Sequence, residues 1–324
     1  MHNLTLASFA KWILPVVLLT LVAGCVAARH ELPRSQKPAR AAMWVDSMRG
    51  EPMEFSDVVD DLATARVVYL GEIHTIARHH QLQTEILNSL ASRGVKLVLA
   101  MEQFEYFAQP ALDRYNAGAI DLDGLIRESN LKERWSDYAD YKGLLLAARS
   151  HGIPVLALNA RAETIRAIAR GGGLKALSAE QRKELPASIV TDDPLYERLL
   201  KQTLAVHMAL DPARLQPAFE AQVARDETMA SRLAEYLNSN EGRGRSALVI
   251  CGRGHCEFGF GIPSRVSRRI PGISQRIVVF SNSGDLRLSE EERSQARDIE
   301  VTHEFLQGLG RPLADYFQIA EPAR

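Results

Sequence analysis

Val67-Val68-Tyr69-Leu70-Gly71-Glu72-Ile73-His74 runs four apolar residues into a glycine, an acid and a histidine, and Leu248-Val249-Ile250-Cys251-Gly252-Arg253-Gly254-His255 repeats the plan. A short run that is apolar at every position suits a strand covered on both faces. The glycine lets the chain turn sharply off the strand, and the histidine then projects beyond its carboxyl end. Similar runs stand at residues 97–100, 155–158 and 277–280, and a last strand is expected at residues 316–319. Between them lie amphipathic stretches, such as Phe219, Gln222, Val223, Asp226, Met229, Ala230, Leu233 and Leu237, whose apolar members recur at helical spacing. Strands alternating with helices predict an α/β fold, a largely parallel sheet with helices on both faces. Residues from Ala162 to about Leu215 carry no strand pattern, so a helical insertion, with its following helix, is expected over residues 162–240.

The wider composition agrees with a globular chain. Of 324 residues 46% are apolar and 24% charged, and 39 Lys+Arg stand against 40 Asp+Glu. This balance excludes disordered and collagen-like chains, and it supplies no field to gather nucleic acid. The run from Trp12 to Ala23 is too short for a membrane span, which needs about 20 apolar residues, and fits the core of a signal peptide. Leu21-Val22-Ala23-Gly24-Cys25 behind it resembles the lipobox of bacterial lipoproteins. The expectation is a signal peptide over residues 1–24, lipidation at Cys25, a flexible lipid-anchored linker to residue 42 and one domain over residues 43–320. Val26 in place of Asp leans toward the outer membrane, facing the periplasm of a bacterial cell envelope.

In an open parallel sheet the ligand crevice lies outside the carboxyl ends of the strands. The strands deliver there Glu72 and His74, Glu102, Asn159 and Arg161, His255, and Asn282. Histidine serves as acid, base or metal ligand near neutrality, and glutamate as an oxygen ligand or base. Glu72, His74, Glu102 and His255 suit a divalent metal ion with an open position, or equally a metal-free acid/base pair. His79 and His80 point to different faces of a helix start, and His80 is the expected partner behind His74. Arg78 and His207 read as surface residues. Cys251 reads as a buried thiol and Cys256 as the more exposed one, with a disulfide between them left open.

At these residues the chain resembles the ChaN-like haem-binding lipoproteins, in the superfamily that also holds Tiki metalloproteases, TraB-like proteins and erythromycin esterases. The blocks that carry the resemblance are Gly71-Glu72-Ile73-His74 with His79-His80 and Gln83, Ala100-Met101-Glu102-Gln103-Phe104, Trp135 through Tyr138 and Tyr141, and residues 153–161. Residues 226–230 and the stretch from Gly252 to Arg265 complete the set. The resemblance implies a lipid-anchored protein of haem and iron uptake, in which a dimer encloses haem and a tyrosine ligates the iron. Haem needs an apolar slot, an iron ligand and cations for its propionates. His74, His80, Tyr106, Tyr138, Tyr141, Arg161 and His255 are the residues expected to meet it. Phe258 stands where the family pattern often has Tyr. The other branches of the superfamily imply catalysis through Glu72, His74, Glu102 and His255, so a metal-dependent hydrolase is the alternative expectation.

Overall fold

Alternate residues of a strand face opposite sides of its sheet, and the central strands here are apolar on both. The computed structural model describes residues 42–207, 212–281 and 309–320. Its strands are β1 Ala42–Asp46, β2 Glu51–Met53, β3 Val67–Glu72, β4 Leu97–Glu105, β5 Val155–Asn159, β6 Ser246–Gly252, β7 Gln275–Phe280 and β8 Tyr316–Ala320. The helices are α1 Phe55–Leu62, α2 Ala77–Ser92, α3 Gln109–Asn116, α4 Leu122–Glu128, α5 Leu131–Arg134, α6 Lys142–Ser150, α7 Ala162–Gly171, α8 Ala179–Lys183, α9 Pro194–His207, α10 Pro212–Asn238 and α11 Ile262–Arg269.

All eight strands form one sheet in the order β2-β1-β8-β7-β3-β6-β4-β5. From β8 to β5 every pairing is parallel, and β1 runs antiparallel to both its neighbours. The α/β sheet with helices on both faces is therefore the observed fold. The sequence reading omits β1 and β2, which are short and border the Pro-containing linker stretch.

On one face Val68, Leu70, Leu99, Met101, Leu248 and Ile250 pack with Val58 of α1, Ile86 of α2 and Leu144 of α6. On the other, Tyr69, Val98, Ala100, Val249 and Cys251 pack with Met229, Ala230 and Leu233 of α10 and Ile262 and Val266 of α11. Each such buried aliphatic side chain contributes about 1.5–3 kcal/mol. Helix α10 is thus a covering helix of the sheet, and α7 and α9 pack onto it through Ile165, Ile168, Tyr196 and Leu200.

Two features of connectivity position the site. The chain passes from β3 to β4 leaving a slot between them, and β6 returns from the helical segment to fill it. The two Gly-x-x-His turns consequently leave adjacent parallel strands. At the open edge, α3 covers β5 with side-chain amides: Asn116 donates to the Val155 carbonyl at 3.0 Å and accepts from its N–H at 2.9 Å, while Gln109 accepts from the Ala157 N–H at 2.8 Å. The edge is thereby closed to further strand pairing.

Candidate functional site

The register of β3 on β6 places the two turns one residue out of step. Gly71 pairs with Cys251 and Glu72 with Gly252, so the first motif starts one ladder rung before the second. One step along a strand reverses the side-chain direction. Glu72 continues the Val68–Leu70 side and meets α2, whereas Glu102 continues the Val98–Ala100 side and meets α10. Two buried carboxylates therefore reach the carboxyl edge of the sheet from opposite faces.

Glu72 is 1% exposed and collects donors from several elements. Its Oε1 accepts from Gln103 Nε2 at 2.9 Å, lies 2.8 Å from His74 Nδ1, and takes the Tyr141 hydroxyl. Its Oε2 accepts from Gln83 and lies 3.3 Å from His80 Nδ1. Burial alone would raise its pKa, but the hydrogen bonds to His74 and His80 and their charges outweigh it and hold the group at about 2. His80 Nε2 bonds the His74 carbonyl at 2.9 Å, fixing the turn from behind. Burial and the neighbouring carboxylate push the Tyr141 hydroxyl well above its usual range, so it stays a donor.

His79 is buried too. It accepts the Ile73 N–H at Nδ1 at 3.0 Å and bonds the Ser281 carbonyl through Nε2 at 3.0 Å. That pattern requires a neutral ring protonated at Nε2, and burial lowers its pKa to about 4. His79 and His80 thus grip the Gly71–His74 turn from two directions. Arg78 is not a free surface cation: it donates to Gln318 and, at 2.5 Å, to the Ser281 carbonyl. The end of β7 lies within its reach because β7 and β3 are ladder neighbours.

The second half is closed. Glu102 Oε2 accepts the Gly252 N–H at 2.7 Å, and its Oε1 lies 3.2 Å from His255 Nε2. His255 Nδ1 lies 2.5 Å from Asp226 Oδ1, and Asp226 Oδ2 accepts the Tyr196 hydroxyl at 2.7 Å. Burial opposes the charge on His255, but Glu102 and Asp226 on its two sides overcome this and raise its pKa to about 10. Glu102 is held well below the usual carboxylate range, chiefly by His255 against the cost of burial. At neutral pH this is a carboxylate–imidazolium–carboxylate strut with both ring nitrogens committed.

His74 differs from every other imidazole of the group in being accessible. Its side chain is 34% exposed, and its ring stands edge-on to Trp135 with centroids 5.0 Å apart. Gly252 makes room for it, since a Cβ there would lie 3.0 Å from His74 Nε2 and 3.7 Å from Glu102 Oε2. The two halves meet over this glycine. Burial depresses the His74 pKa, but the bond to Glu72 and the charge of Glu102 prevail and raise it.

A rim of half-buried aromatic and basic groups follows. Phe107 lies between Arg134 and Arg161, whose guanidinium carbons stand 5.1 and 4.8 Å from its ring centre, and Lys142 stands 5.6 Å from the Tyr138 ring. Arg161 also pairs with Glu184 at 3.5 Å. Tyr106 and Tyr138 are half-buried, whereas Tyr141, His80 and His255 sit behind the carboxylates and present them rather than themselves. Asn159 is buried and donates to the Glu102 carbonyl at 2.9 Å, so it shapes β4. Asn282, Cys25 and the residues of the proposed leader lie outside the described residues. Among the described residues no three His, Cys, Asp or Glu side chains are arranged to hold a metal ion.

Sequence reasoning passed over Asp226, Tyr196 and Gln103 as site residues. A signal was present for the first: Gln222 and Asp226, four residues apart, interrupt an otherwise apolar helix face, and both reach His255. Cys256 is a correction as well. It is fully buried, with its sulfur against Gly71.

Comparison with known proteins places this geometry in context. The family described as haem-binding uptake, Tiki superfamily, ChaN matches residues 58–266. Among curated proteins, Protein RETICULATA-RELATED 5, chloroplastic, of Arabidopsis thaliana is 28% identical over 258 residues, covering 72% of this chain and 34% of that protein. The chain spans about a third of that relative's length. Among solved structures, one describing cofacial heme binding to ChaN of Campylobacter jejuni superposes with a TM-score of 0.63 at 20% identity, over 86% of this chain and 97% of that one. An erythromycin esterase in its open conformation gives a TM-score of 0.43 at 13% identity, over 73% and 76% of the two chains.

Proposed function

This chain belongs to the haem-binding uptake family of the Tiki superfamily typified by ChaN, and from that premise we propose that it binds haem at the carboxyl edge of its sheet and serves in haem or iron uptake. The family match over residues 58–266 carries the reading. The residues present fit the group. A ligand needs an available donor, flat apolar surface and cations. His74 offers a partly exposed imidazole whose Nδ1 is held by Glu72, a second partner of the kind that raises ligand basicity. Trp135, Tyr138, Tyr106 and Phe107 offer aromatic surface, and Arg134 and Arg161 offer charge for propionates. Haem when bound would supply the iron chemistry, and this chain would bind, orient and shield it.

Titration of the purified protein with hemin tests the reading. Saturable binding with a shifted Soret band is expected, and its loss or displacement in His74→Ala at unchanged folding. Hemin that neither saturates nor shifts would overturn it. Tyr106→Phe and Tyr138→Phe, measured in the same way, show whether a phenol shares the iron.

The lipobox supports a finer proposal, that Cys25 carries a lipid anchor holding the domain to the bacterial envelope, at the outer membrane and facing the periplasm. No helix among the described residues is long and apolar enough to cross a membrane. Labelled fatty acid incorporated into the wild type but not into Cys25→Ala is the expected result. Cofacial binding, described for the Campylobacter protein, suggests that two copies of this chain meet through haem. Hemin-dependent dimerisation on a sizing column checks this.

The Glu72–His74 pair supports a second reading, hydrolysis. An imidazole oriented by a buried carboxylate and exposed over a third of its side chain is equipped for proton transfer. His255, with both nitrogens bound to carboxylates, holds Glu102 in place in this scheme and is not itself a base. Ester hydrolysis abolished in His74→Ala would favour it, and a pure preparation without such activity would remove it.

A further inference from the structure

Cys251 and Cys256 lie at the two ends of the turn that carries His255, and neither is used by the network above. Cys251 is the last apolar residue of β6 and faces the α10 side, in ladder register with Gly71. A Cβ on Gly71 would meet Cys256 Sγ at 2.8 Å, so that sulfur occupies the space above Gly71. Neighbouring strands are about 4.8 Å apart, which sets the two cysteines side by side on one face of the sheet. They share an apolar compartment with Tyr69, and both are fully buried free thiols. Cys256 donates to the Arg253 carbonyl at 3.5 Å. Between the two run Gly252, Arg253, Gly254 and His255, of which Gly254 is exposed with open space around it.

We propose that Cys251 and Cys256 form a redox-active dithiol that closes to a disulfide across the Gly252–His255 turn, so that the turn carrying His255 and the Gly252 N–H reports the thiol–disulfide state of its surroundings. The oxidant is a small disulfide. One cysteine thiolate attacks a sulfur of that disulfide, forming a mixed disulfide and releasing one thiol, and the second cysteine attacks the mixed bond and releases the other. Two protons and two electrons leave the protein and reduce one disulfide to two thiols. Because both sulfurs are buried, the reaction waits on opening of the glycine-containing turn. The closed bridge spans the turn whose Gly252 N–H and His255 ring hold Glu102 from the β6 side, so oxidation is felt at the Glu102–His255 pair. This inference stands apart from the haem reading.

The test uses the full reduced chain, without denaturant, equilibrated with oxidised and reduced glutathione, then acid-quenched, alkylated and digested with trypsin. Trypsin cuts after Arg253, between the two cysteines. The expected product is a pair of peptides joined through Cys251 and Cys256, increasing with the oxidised share of the buffer and absent from Cys251→Ala. Both thiols still free to alkylate at equilibrium, separate glutathione adducts on each, or a bridge formed only in urea would overturn the proposal. The imidazole nitrogen resonances of His255 are expected to move on oxidation, and unchanged resonances in a bridged sample would overturn its link to the site.

Discussion

The two Gly-x-x-His turns are spelled alike, leave adjacent strands and end within reach of the same glycine, yet the histidines they deliver have opposite fates. His74 keeps a third of its side chain in solvent, and His255 is buried between two carboxylates. The carboxylates differ by one ladder rung across β6, Glu72 lying level with Gly252 and Glu102 following Met101, which is level with Ile250, and this sends Glu72 to the α2 side and Glu102 to the α10 side. On the α2 side the donors that satisfy Glu72 include neutral amides and a phenol, so His74 is one partner among five. On the α10 side the cation is His255, and two carboxylates depend on it. A repeated motif therefore identifies where chemistry is delivered without identifying which copy performs it.

The largest break in this comparison should come from His255→Ala, which strands Glu102 and Asp226 as buried charges. Removing one member of such a buried pair costs ~3–5 kcal/mol, to be read from urea unfolding. His74→Ala should cost only about 1 kcal/mol, since Glu72 keeps its other donors, while abolishing or displacing hemin binding.

The pH dependence of stability separates the two sides next. His255 is raised to about 10 from an ordinary 6.5. Its stabilisation is complete below about 6.5, where folded and unfolded chains both carry the proton, and fades as pH rises through about 10. Glu72 is lowered to about 2 from an ordinary 4.5, so its contribution is complete above about 4.5 and fades as pH falls through about 2. Unfolding midpoints across pH should therefore show an alkaline loss that His255→Gln removes and an acid loss that Glu72→Gln diminishes.

Smaller effects belong to the glycines. Gly252→Ala puts a methyl 3.0 Å from His74 Nε2 and 3.2 Å from Cε1, which should displace that ring, cost ~1–2 kcal/mol and weaken hemin binding. Gly254→Ala, two residues on, meets nothing within 4 Å and should change stability by less than ~0.5 kcal/mol. Thermal melts and hemin titrations of the pair check both. Equal effects would remove the assignment of Gly252 as the junction of the two halves.

Much of this was legible in the sequence, and the illegible part has a physical pattern. Solid apolar runs revealed β3 to β7, and the rule that ligands gather at strand ends revealed Glu72, His74, Glu102 and His255. Residues that descend from covering helices onto those ends escaped it: Asp226 and Tyr196 act at His255 from α10 and α9, and no strand pattern points to them. Asp226 was readable as a carboxylate misplaced on an apolar face and as the first residue of a block that carries the family resemblance. β2 has only three residues, and β1, Ala-Met-Trp-Val-Asp, ends in an acid and begins where the linker was read to end. Arg78 and Cys256 were misjudged because exposure at a turn depends on neighbours distant in sequence, here β7 and Gly71.

The division of labour between the two histidines is tested most directly by following the imidazole nitrogen resonances of the intact chain across pH. His255 should remain doubly protonated up to about pH 10, and His74 should titrate above its ordinary value. A His255 that titrates near the ordinary value of about 6.5 would contradict the account, because the strut would then be an ordinary base and the two turns would be chemically alike.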